Sequence, residues 1–503
     1  MNSTIENRTD AVAFLDGRIN YERQRRMPYG ERTMKLDRMR RLLERLDLLA
    51  PTRLSPIVHI AGTKGKGTTG AMIASIAGCT GLRVGIFTSP HLERVEQRLV
   101  VDGRPADESQ FVAATETLRP VVEQMDQEAE EFAALGTPPL EEAEATIGPT
   151  YFECLTALAL ILFRQCKTDL IVLETGLGGR LDSTNIPTAA LSVVTNISLD
   201  HTTQLGDTTA KIAGEKAGII KPSVPVISGV MDEEARQVIR ETCAEQSSPL
   251  IERSVDFDFE QSAPGRPSAT GAPVRFRFRR IRPAASRRKP RRKISRDHRR
   301  EQAVWPLPNK LSNLELPMPG AHQAENAAMA IVVSGILGAL GLVEINEQSI
   351  RDGLARLRFP GRMEVVDRRP TVLLDGAHNV ASARAVIETL ESYFAARKRR
   401  LVFAATEEKD VAGMLRLLAP CFDAIYVTGY SETPRAVPAE QLARMCEPFT
   451  TGPICTFERP VDAIDAARSE SDDDDLIVAT GSLFLVAELR RHIVPAGEDG
   501  LWR

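Results

Sequence analysis

The apolar positions of the chain follow two alternating spacings, one typical of helices and one of buried strands. From Asp37 to Leu49 they recur every three or four residues, which predicts an amphipathic helix. Short apolar runs without interruption then predict strands, and segments with helical spacing separate them. These runs are Ile57–Ala61, Val84–Ser89, Leu170–Glu174, Leu191–Ile197 and Val224–Ser228. Strands that alternate with helices predict an α/β fold with a doubly wound, mostly parallel sheet.

The second half of the chain repeats this pattern after a break. A helix is predicted over Ala324–Leu340, and the pair Pro360-Gly361 interrupts the pattern after it. New apolar runs follow at Val372–Leu374, Leu401–Ala404, Ile425–Val427 and Leu476–Ala479. We therefore predict a first domain over residues 1–357 and a smaller, Rossmann-like α/β domain over residues 358–503.

One segment of the first domain is strongly basic. Residues 275–300 contain fourteen Lys or Arg residues and a single acid, Asp297. At its start, from Val274 to Phe278, the segment alternates apolar residues with arginines. Charge of one sign repels itself, so we expect a solvated loop or disordered insertion over about 262–304. An arm that binds RNA or another polyanion is the alternative.

Composition limits the class of protein further. The 503 residues carry a formal net charge of -4, which gives no global attraction to nucleic acid or to an anionic membrane. The seven cysteines are scattered without a C-x-x-C pair, so neither a zinc site nor a disulfide framework is predicted. No signal sequence or membrane-spanning run is apparent. We expect a cytoplasmic monomer with small-molecule partners and without nucleic acid.

The run Ile57–Ala61 ends in a glycine-rich loop around a lysine. Glycines allow backbone N–H groups to surround phosphate oxygens, and the following helix directs its positive end at the same site. Lysine can reach the terminal phosphates, and a threonine hydroxyl can bind magnesium. The predicted ATP-binding residues here are Gly62, Thr63, Gly65, Lys66, Gly67 and Thr68.

Two further strand ends carry polar residues. Glu174 closes the run Leu170–Glu174, at the sheet edge where ligands bind, so it is a candidate magnesium ligand. A helix cap or an ion pair with Arg180 is the alternative for this carboxylate. His201 follows a third strand, where a histidine alone is more often structural.

The loop sequence G-T-K-G-K-G-T-T resembles that of the folate branch of the Mur ligase superfamily, ligases that use ATP to join an amino acid to a carboxylate. Lys64 stands where this branch most often has asparagine. Further motifs of the branch follow in order: Thr88–Leu92, Thr150–Glu153, Glu174–Asp182, Leu199–His201, Glu215–Ile219, His322–Ala327, Phe359–Arg362, Asp375–Asn379 and Gly481-Ser482.

The resemblance implies two Mg²⁺ ions beside the ATP phosphates. Thr68, Ser89 and Glu174 would hold the first, while Glu174, His201 and a carbamylated Lys216 would hold the second. Carbamylation turns an ammonium into a carboxylate, the ligand type that a hard cation requires. Without the resemblance, Lys216 would be read as a surface lysine paired with Glu215.

The resemblance also implies substrate contacts. Asn326, Arg362 and Asp375 would contact adenine, phosphate and ribose of ATP, whereas Tyr151, Phe152, Leu181 and Asp182 would meet a pterin ring. Asp375, His378 and Ser482 would position glutamate, and the alternative for His378 is a helix-capping or core histidine. Lys66, Lys216 and His378 are the expected catalytic residues.

The implied reaction begins when a substrate carboxylate attacks the γ-phosphoryl group of ATP. Glutamate then displaces phosphate from the acyl phosphate and forms an amide. The choice of substrate remains open. The leading hypothesis is an enzyme that uses both dihydropteroate and folates, and the alternative is an enzyme that extends only folates. A nucleic-acid-associated P-loop ATPase that uses the basic segment is the alternative of another class, although no Walker-B-like strand ends in aspartate.

Overall fold

The computed structural model describes residues 5–23, 30, 36–50, 52–134, 147–263, 265–281, 305–431, 435–495, 497–498 and 500–502. Within these ranges, no helix is long and apolar enough to cross a membrane. The predicted α/β class is confirmed, because helices alternate with strands through most of this length.

An eight-stranded sheet forms the centre of the N-terminal part of the chain. Its strands are β1 (Ile57–Ala61), β2 (Val84–Phe87), β3 (Leu99–Val101), β4 (Arg104–Pro105), β5 (Leu170–Glu174), β6 (Leu191–Val194), β7 (Val226–Ser228) and β8 (Leu250–Glu252), in the order β4-β3-β2-β5-β1-β6-β7-β8. The pairs from β2 to β8 are parallel, and the β2–β3 and β3–β4 pairs are antiparallel. The central strands are fully buried, as continuous apolar runs predict.

The helices of this part of the chain cover both faces of the sheet. They are α1 (Arg8–Asp16), α2 (Leu36–Arg45), α3 (Lys66–Gly78), α4 (Glu108–Ala134), α5 (Tyr151–Gln165), α6 (Thr202–Leu205), α7 (Thr209–Ala217), α8 (Glu233–Glu245), α9 (His322–Ala339) and α10 (Glu347–Ala355). The helix α3 is buried on nearly all sides and packs against α9 and α10. The phosphate loop therefore rests on a rigid helix.

A second, three-stranded antiparallel sheet corrects the expectation for the basic segment. Its strands are β9 (Phe257–Gln261), β10 (Val274–Arg280) and β11 (Lys310–Leu316), with β10 in the centre. Phe276 and Phe278 alternate with exposed arginines and are buried in the core, so the predicted loop is wrong for β10. Because the apolar side chains of β10 face the core and its arginines face solvent, the segment forms a strand although its charge density suggested a solvated loop. Residues 282–304 lie outside the described part of the chain.

A six-stranded sheet occupies the C-terminal part of the chain. Its strands are β12 (Glu364–Arg368), β13 (Thr371–Leu374), β14 (Arg399–Phe403), β15 (Ala424–Thr428), β16 (Ile454–Phe457) and β17 (Leu476–Thr480), in the order β12-β13-β17-β14-β15-β16. Only the β12–β13 pair is antiparallel. The helices α11 (Val380–Tyr393), α12 (Val411–Leu418), α13 (Ala439–Cys446), α14 (Pro460–Ser469) and α15 (Leu483–Ile493) surround it. The four predicted strands of this region are confirmed, whereas β12 and β16 were missed.

Strands β2 and β6 end earlier than their apolar runs predicted. β2 ends at Phe87 and β6 at Val194, so the chain leaves the sheet before Ser89 and before Asn196. These departing segments surround the phosphate loop at the carboxyl ends of the parallel strands. Ligands bind at this edge in open α/β sheets.

Candidate active site

Hydrogen bonds from the segment after β6 hold the phosphate loop in place. The backbone N–H of Thr63 donates to the Asn196 carbonyl at 2.9 Å, and the Thr195 hydroxyl donates to the Lys64 carbonyl at 2.7 Å. Gly62 passes so close to Thr195 that a side chain would collide with its hydroxyl. Gly65 has φ of 79° and lies against Asn326, so both glycines are required for geometric reasons.

The extra glycine of the loop, Gly67, faces the carboxylate of Glu174. A methyl group at Gly67 would lie 3.1 Å from Glu174 Oε2 and 3.3 Å from the ring of Phe359. The glycine thus lets the first turn of α3 approach the end of β5. Thr68, the next residue, is buried in the same turn.

Glu174 has few partners for a buried carboxylate. Its Oε2 accepts the Ser89 N–H at 3.3 Å, and its Oε1 lies 3.9 Å from Lys66 Nζ. Burial raises the pKa of Glu174, while the Lys66 ammonium opposes this shift. The alternative ion pair with Arg180 is wrong, because Arg180 bonds to Glu215 at 2.7 Å. A cation beside Glu174 would offset the cost of its burial.

Lys216 points into the site and not to solvent. Its side chain is 4% exposed, and its Nζ donates to the Gly62 carbonyl at 2.9 Å. Lys66 Nζ donates to the same oxygen at 3.2 Å. Burial lowers the pKa of Lys216 to about 7, and the Lys66 charge contributes. The surface reading is therefore wrong, since Glu215 pairs with Arg180.

His201 immediately precedes α6 with φ of 48° and lines the same cavity. Burial lowers its pKa, with smaller contributions from Lys66 and Lys216, so a neutral ring faces the loop. Among the described residues, no three His, Cys, Asp or Glu side chains cluster as a metal site. Glu174 suits one divalent ion together with phosphate oxygens, but a second ion needs Lys216 in an anionic form.

An aromatic wall stands across from the loop. Tyr151 and Phe152 open α5, and the ring centroids of Phe152 and Phe87 are 5.8 Å apart. Leu181 lines the same part of the cavity. Such a surface suits a flat heterocycle.

Asp182 also lines the cavity, but its carboxylate is engaged by the loop around it. It accepts the N–H groups of Gly176 at 2.9 Å, Leu177 at 3.0 Å and Thr184 at 3.0 Å, together with the Thr184 hydroxyl. These bonds use the acceptor capacity of both oxygens. The geometry therefore gives Asp182 a loop-positioning role that the sequence analysis missed.

Residues after Phe359 form a separate wall of the cavity. Arg362 and Asp375 line the cavity, and Asp375 accepts the N–H groups of Met363 and Ala377, each at 2.9 Å. Burial raises the pKa of Asp375 against the opposing charge of Arg362. Asn326 lies on the other side, because it belongs to α9 beside the phosphate loop, where it is buried against Gly65 and also lines the cavity.

His378 and Ser482 have different positions. His378 lines the cavity, its Nδ1 is 2.9 Å from the Gly376 carbonyl, and burial lowers its pKa to about 4. The carbonyl accepts only, so Nδ1 carries the hydrogen and Nε2 is an acceptor. Ser482 is 2% exposed, caps α15 through the Phe484 N–H and does not line the cavity. Its predicted contact with glutamate has no support in this geometry.

Arg98 and Lys409 were missed by the sequence analysis. Arg98 is buried, donates to His91 Nδ1 at 2.9 Å and forms a two-pronged ion pair with Glu22 at 2.8 and 2.6 Å. Lys409 lines the cavity and acts electrostatically on both His201 and His378. Charge alone could not indicate either residue, because arginine and lysine are frequent in this sequence.

These walls enclose one cavity of about 2090 Å³ between the two large sheets. Ordinary ligand pockets measure about 300–1,000 Å³, so the cavity has room for more than one substrate. A phosphate loop, a buried carboxylate and an aromatic wall that share one large cleft are the features expected of an ATP-dependent ligase.

Comparison with known proteins agrees with this class. The family described as "Mur ligase, glutamate ligase domain" matches residues 361–483. The chain is 32% identical to the Bacillus subtilis dihydrofolate synthase/folylpolyglutamate synthase over 91% of its own length and 94% of the relative. It is 35% identical to the Mycobacterium tuberculosis enzyme of that name, over 85% and 81%.

Solved structures agree as well. Mycobacterium tuberculosis folylpolyglutamate synthase complexed with ADP and AMPPCP has a TM-score of 0.77 at 28% identity, over 97% of this chain and 99% of that one. Escherichia coli FolC in complex with DHPP and ADP has a TM-score of 0.71 at 29% identity, over 96% and 97%. The chain belongs to the dihydrofolate synthase/folylpolyglutamate synthase family. This membership favours the ligase over the nucleic-acid-associated ATPase.

Proposed function

We propose that the protein joins L-glutamate to the carboxylate of dihydropteroate or of a glutamylated folate. The main support is that one cavity has the phosphate loop on one wall, Tyr151 and Phe152 on another and His378 on a third. The structure of a bifunctional folylpolyglutamate synthase/dihydrofolate synthase has Mn, AMPPNP and L-glutamate bound (TM-score 0.70, 29% identity, 98% of each chain), which supports binding of both a nucleotide and glutamate by this chain.

The reaction proceeds in two displacements. A carboxylate oxygen of the pterin substrate attacks the γ-phosphorus of ATP, the bond to the β-phosphate oxygen breaks, and ADP leaves. Lys66 and the loop N–H groups balance the charge on the transferred phosphoryl group. The neutral glutamate amine then attacks the acyl carbon, the carbon–oxygen bond to phosphate breaks, and the amine proton goes to the departing phosphate, which leaves as hydrogen phosphate.

We further propose two Mg²⁺ sites. Thr68, Ser89 and Glu174 would hold one ion with the phosphates, and Glu174, His201 and carbamylated Lys216 would hold the other. Bound magnesium would neutralise phosphate charge during the transfer. The buried carboxylate of Glu174 and the buried, low-pKa amine of Lys216 support this assignment.

In the second displacement His378 would position glutamate. Its pKa of about 4 makes it a weak base at neutral pH, so a hydrogen bond from the amine to Nε2 suits it better than proton abstraction. Asn326, beside the loop, and Arg362 and Asp375, on the facing wall, would contact the nucleotide. A monomer remains a prediction.

The proposed function is tested by measuring ADP release in the presence of ATP, glutamate and a pterin substrate. We expect turnover with dihydropteroate and also with tetrahydrofolate, each dependent on glutamate. Turnover with tetrahydrofolate alone would support the alternative that only folates are extended. Glutamate-independent hydrolysis stimulated by RNA would contradict the ligase.

A further inference from the structure

Arg490 of α15 lies where two segments of the cavity wall meet. These segments are the Ser89 loop, Ser89–Glu93, and the Arg362 turn, Phe359–Arg362. Arg490 is 3% exposed. Its Nη1 donates to the Glu93 carboxylate at 2.5 Å, and its Nε donates to the Glu364 carboxylate at 3.0 and 3.1 Å. One buried guanidinium therefore joins the end of the Ser89 loop to the first residue of β12.

Glu93 is firmly connected to the loop that it ends. Its N–H and that of Leu92 donate to Gln97 Oε1 at 2.7 and 3.0 Å, so the chain curls around one side chain. Ser89, at the other end of the loop, donates its N–H to Glu174. The ion pair with Arg490 thus holds a loop that begins beside the buried carboxylate of the site.

Glu364 holds the Arg362 turn in the same way. Its Oε2 accepts the Gly361 N–H at 2.8 Å, and the Gly361 carbonyl accepts the Gly376 N–H at 2.9 Å. Gly361 has φ of 68°, and a methyl group on it would lie 3.1 Å from Leu92 Cδ2. The Arg362 turn is therefore in direct contact with the Ser89 loop.

The contact between these two segments depends on the charge of Arg490. The side chains of Glu93 and Glu364 are only 16% and 19% exposed, and both bind the same guanidinium. Without that cation, two partly buried carboxylates would lie side by side and repel each other. Loss of the arginine would therefore push the Ser89 loop away from the Arg362 turn.

We propose that Arg490 is a positioning residue that keeps the Ser89 loop and the Arg362 turn aligned across the cavity. This inference rests on the proposed roles of Ser89 as a magnesium ligand and of Arg362 as a nucleotide contact. Arg490 acts on them through Glu93 and Glu364. Alignment matters because a displacement of about 1 Å between reacting groups lowers a rate by about a hundredfold.

The test is a double-mutant cycle with Arg490→Gln, Glu93→Gln and the variant that carries both. Arg400→Gln is the matched control, because Arg400 is another buried arginine, paired with Asp475 at 2.7 Å, and neither residue lines the cavity. ADP release with a pterin substrate and glutamate gives kcat and the magnesium concentration for half-maximal rate. Thermal unfolding reports the stability of each variant.

We expect Arg490→Gln to lower kcat by about tenfold to a hundredfold and to raise the magnesium requirement several-fold. Glu93→Gln should change both in the same direction, in a chain that keeps its buried arginine. The double variant should lose less than the product of the two single losses, because both substitutions break one connection. Arg400→Gln should unfold at a lower temperature, with kcat and magnesium requirement unchanged.

Three results would overturn the inference. They are normal kcat and magnesium requirement in Arg490→Gln or in Glu93→Gln, independent losses in the double variant, and an equal loss of kcat in Arg400→Gln. If the parent protein released no ADP in response to pterin and glutamate, the proposed function itself would fail.

Discussion

Lys216 offers the sharpest test of the proposed chemistry because its burial has a calculable cost. The fall of its pKa from 10.5 to about 7 corresponds to about 5 kcal/mol in favour of the neutral amine. At pH 7 about half of the molecules would carry that amine, against roughly one in three thousand for an ordinary lysine. A neutral amine is the form that reacts with carbon dioxide.

Carbamylation joins the Lys216 nitrogen to the carbon of CO₂ and releases one proton. The product is anionic, so it would relieve the repulsion between Lys216 and Lys66 that lowers the pKa. We expect ¹³C-labelled bicarbonate to give a carbamate resonance in the parent protein with magnesium and ATP. Lys216→Ala should lack this signal and lose about a hundredfold or more of kcat, as removal of a metal ligand predicts.

Acetate or formate should restore part of the activity of Lys216→Ala by supplying the missing carboxylate. Lys211→Ala, an exposed lysine of the same helix, is the matched control and should keep both the resonance and the activity. The reasoning would be refuted by a parent protein without a Lys216-dependent resonance, or by a Lys216→Ala variant with normal turnover and magnesium dependence.

Three other predictions follow from the same geometry. Lys66→Ala should nearly abolish ADP release while circular dichroism stays unchanged; activity within a few-fold of the parent would contradict the phosphate-loop assignment. Glu174→Gln should raise the magnesium concentration for half-maximal rate, and Gly67→Ala should do so more weakly, because its methyl group would press on the carboxylate at 3.1 Å; unchanged magnesium titrations would contradict both. Replacing residues 282–304 with a Gly-Ser linker should preserve activity, since β10 and β11 are adjacent and antiparallel; lost activity in a folded variant would place that segment in the site.

The sequence predicted the strands that bear the site better than it predicted their ends. Continuous apolar runs identify buried parallel strands, and β5 was predicted to the residue at Leu170–Glu174. β2 and β6 were predicted too long, because apolar pattern does not show where the chain turns toward a ligand. The strand β10 was missed for the opposite reason: its arginines face solvent while Phe276 and Phe278 hold it in the core.

The roles of side chains were also predicted in part, well for the backbone of the loop and poorly for short polar residues. The glycines of the loop could be predicted because each serves the backbone, whereas Asp182 and Ser482 could not be separated from ligand contacts by sequence. Both are polar residues next to glycines, and only their hydrogen bonds show that Asp182 accepts the Gly176 N–H and Ser482 accepts the Phe484 N–H. Sequence alone does not show whether a short polar side chain binds a backbone N–H group or contacts a substrate.

The carbonyl of Gly62 brings two lysines together, which favours anions in this site. Lys66 and Lys216 both donate to that one oxygen, and Glu174 is the carboxylate that lies closest to Lys66 among the ion pairs of the described residues. A neutral carbonyl cannot offset two charges in a buried setting. Triphosphate would draw Lys66 away from it, and a carbamate would reverse the sign at Lys216. Triphosphate and carbamate are both anions and repel each other, so the two can share this site only with cations between them, which is the place of the two proposed Mg²⁺ ions.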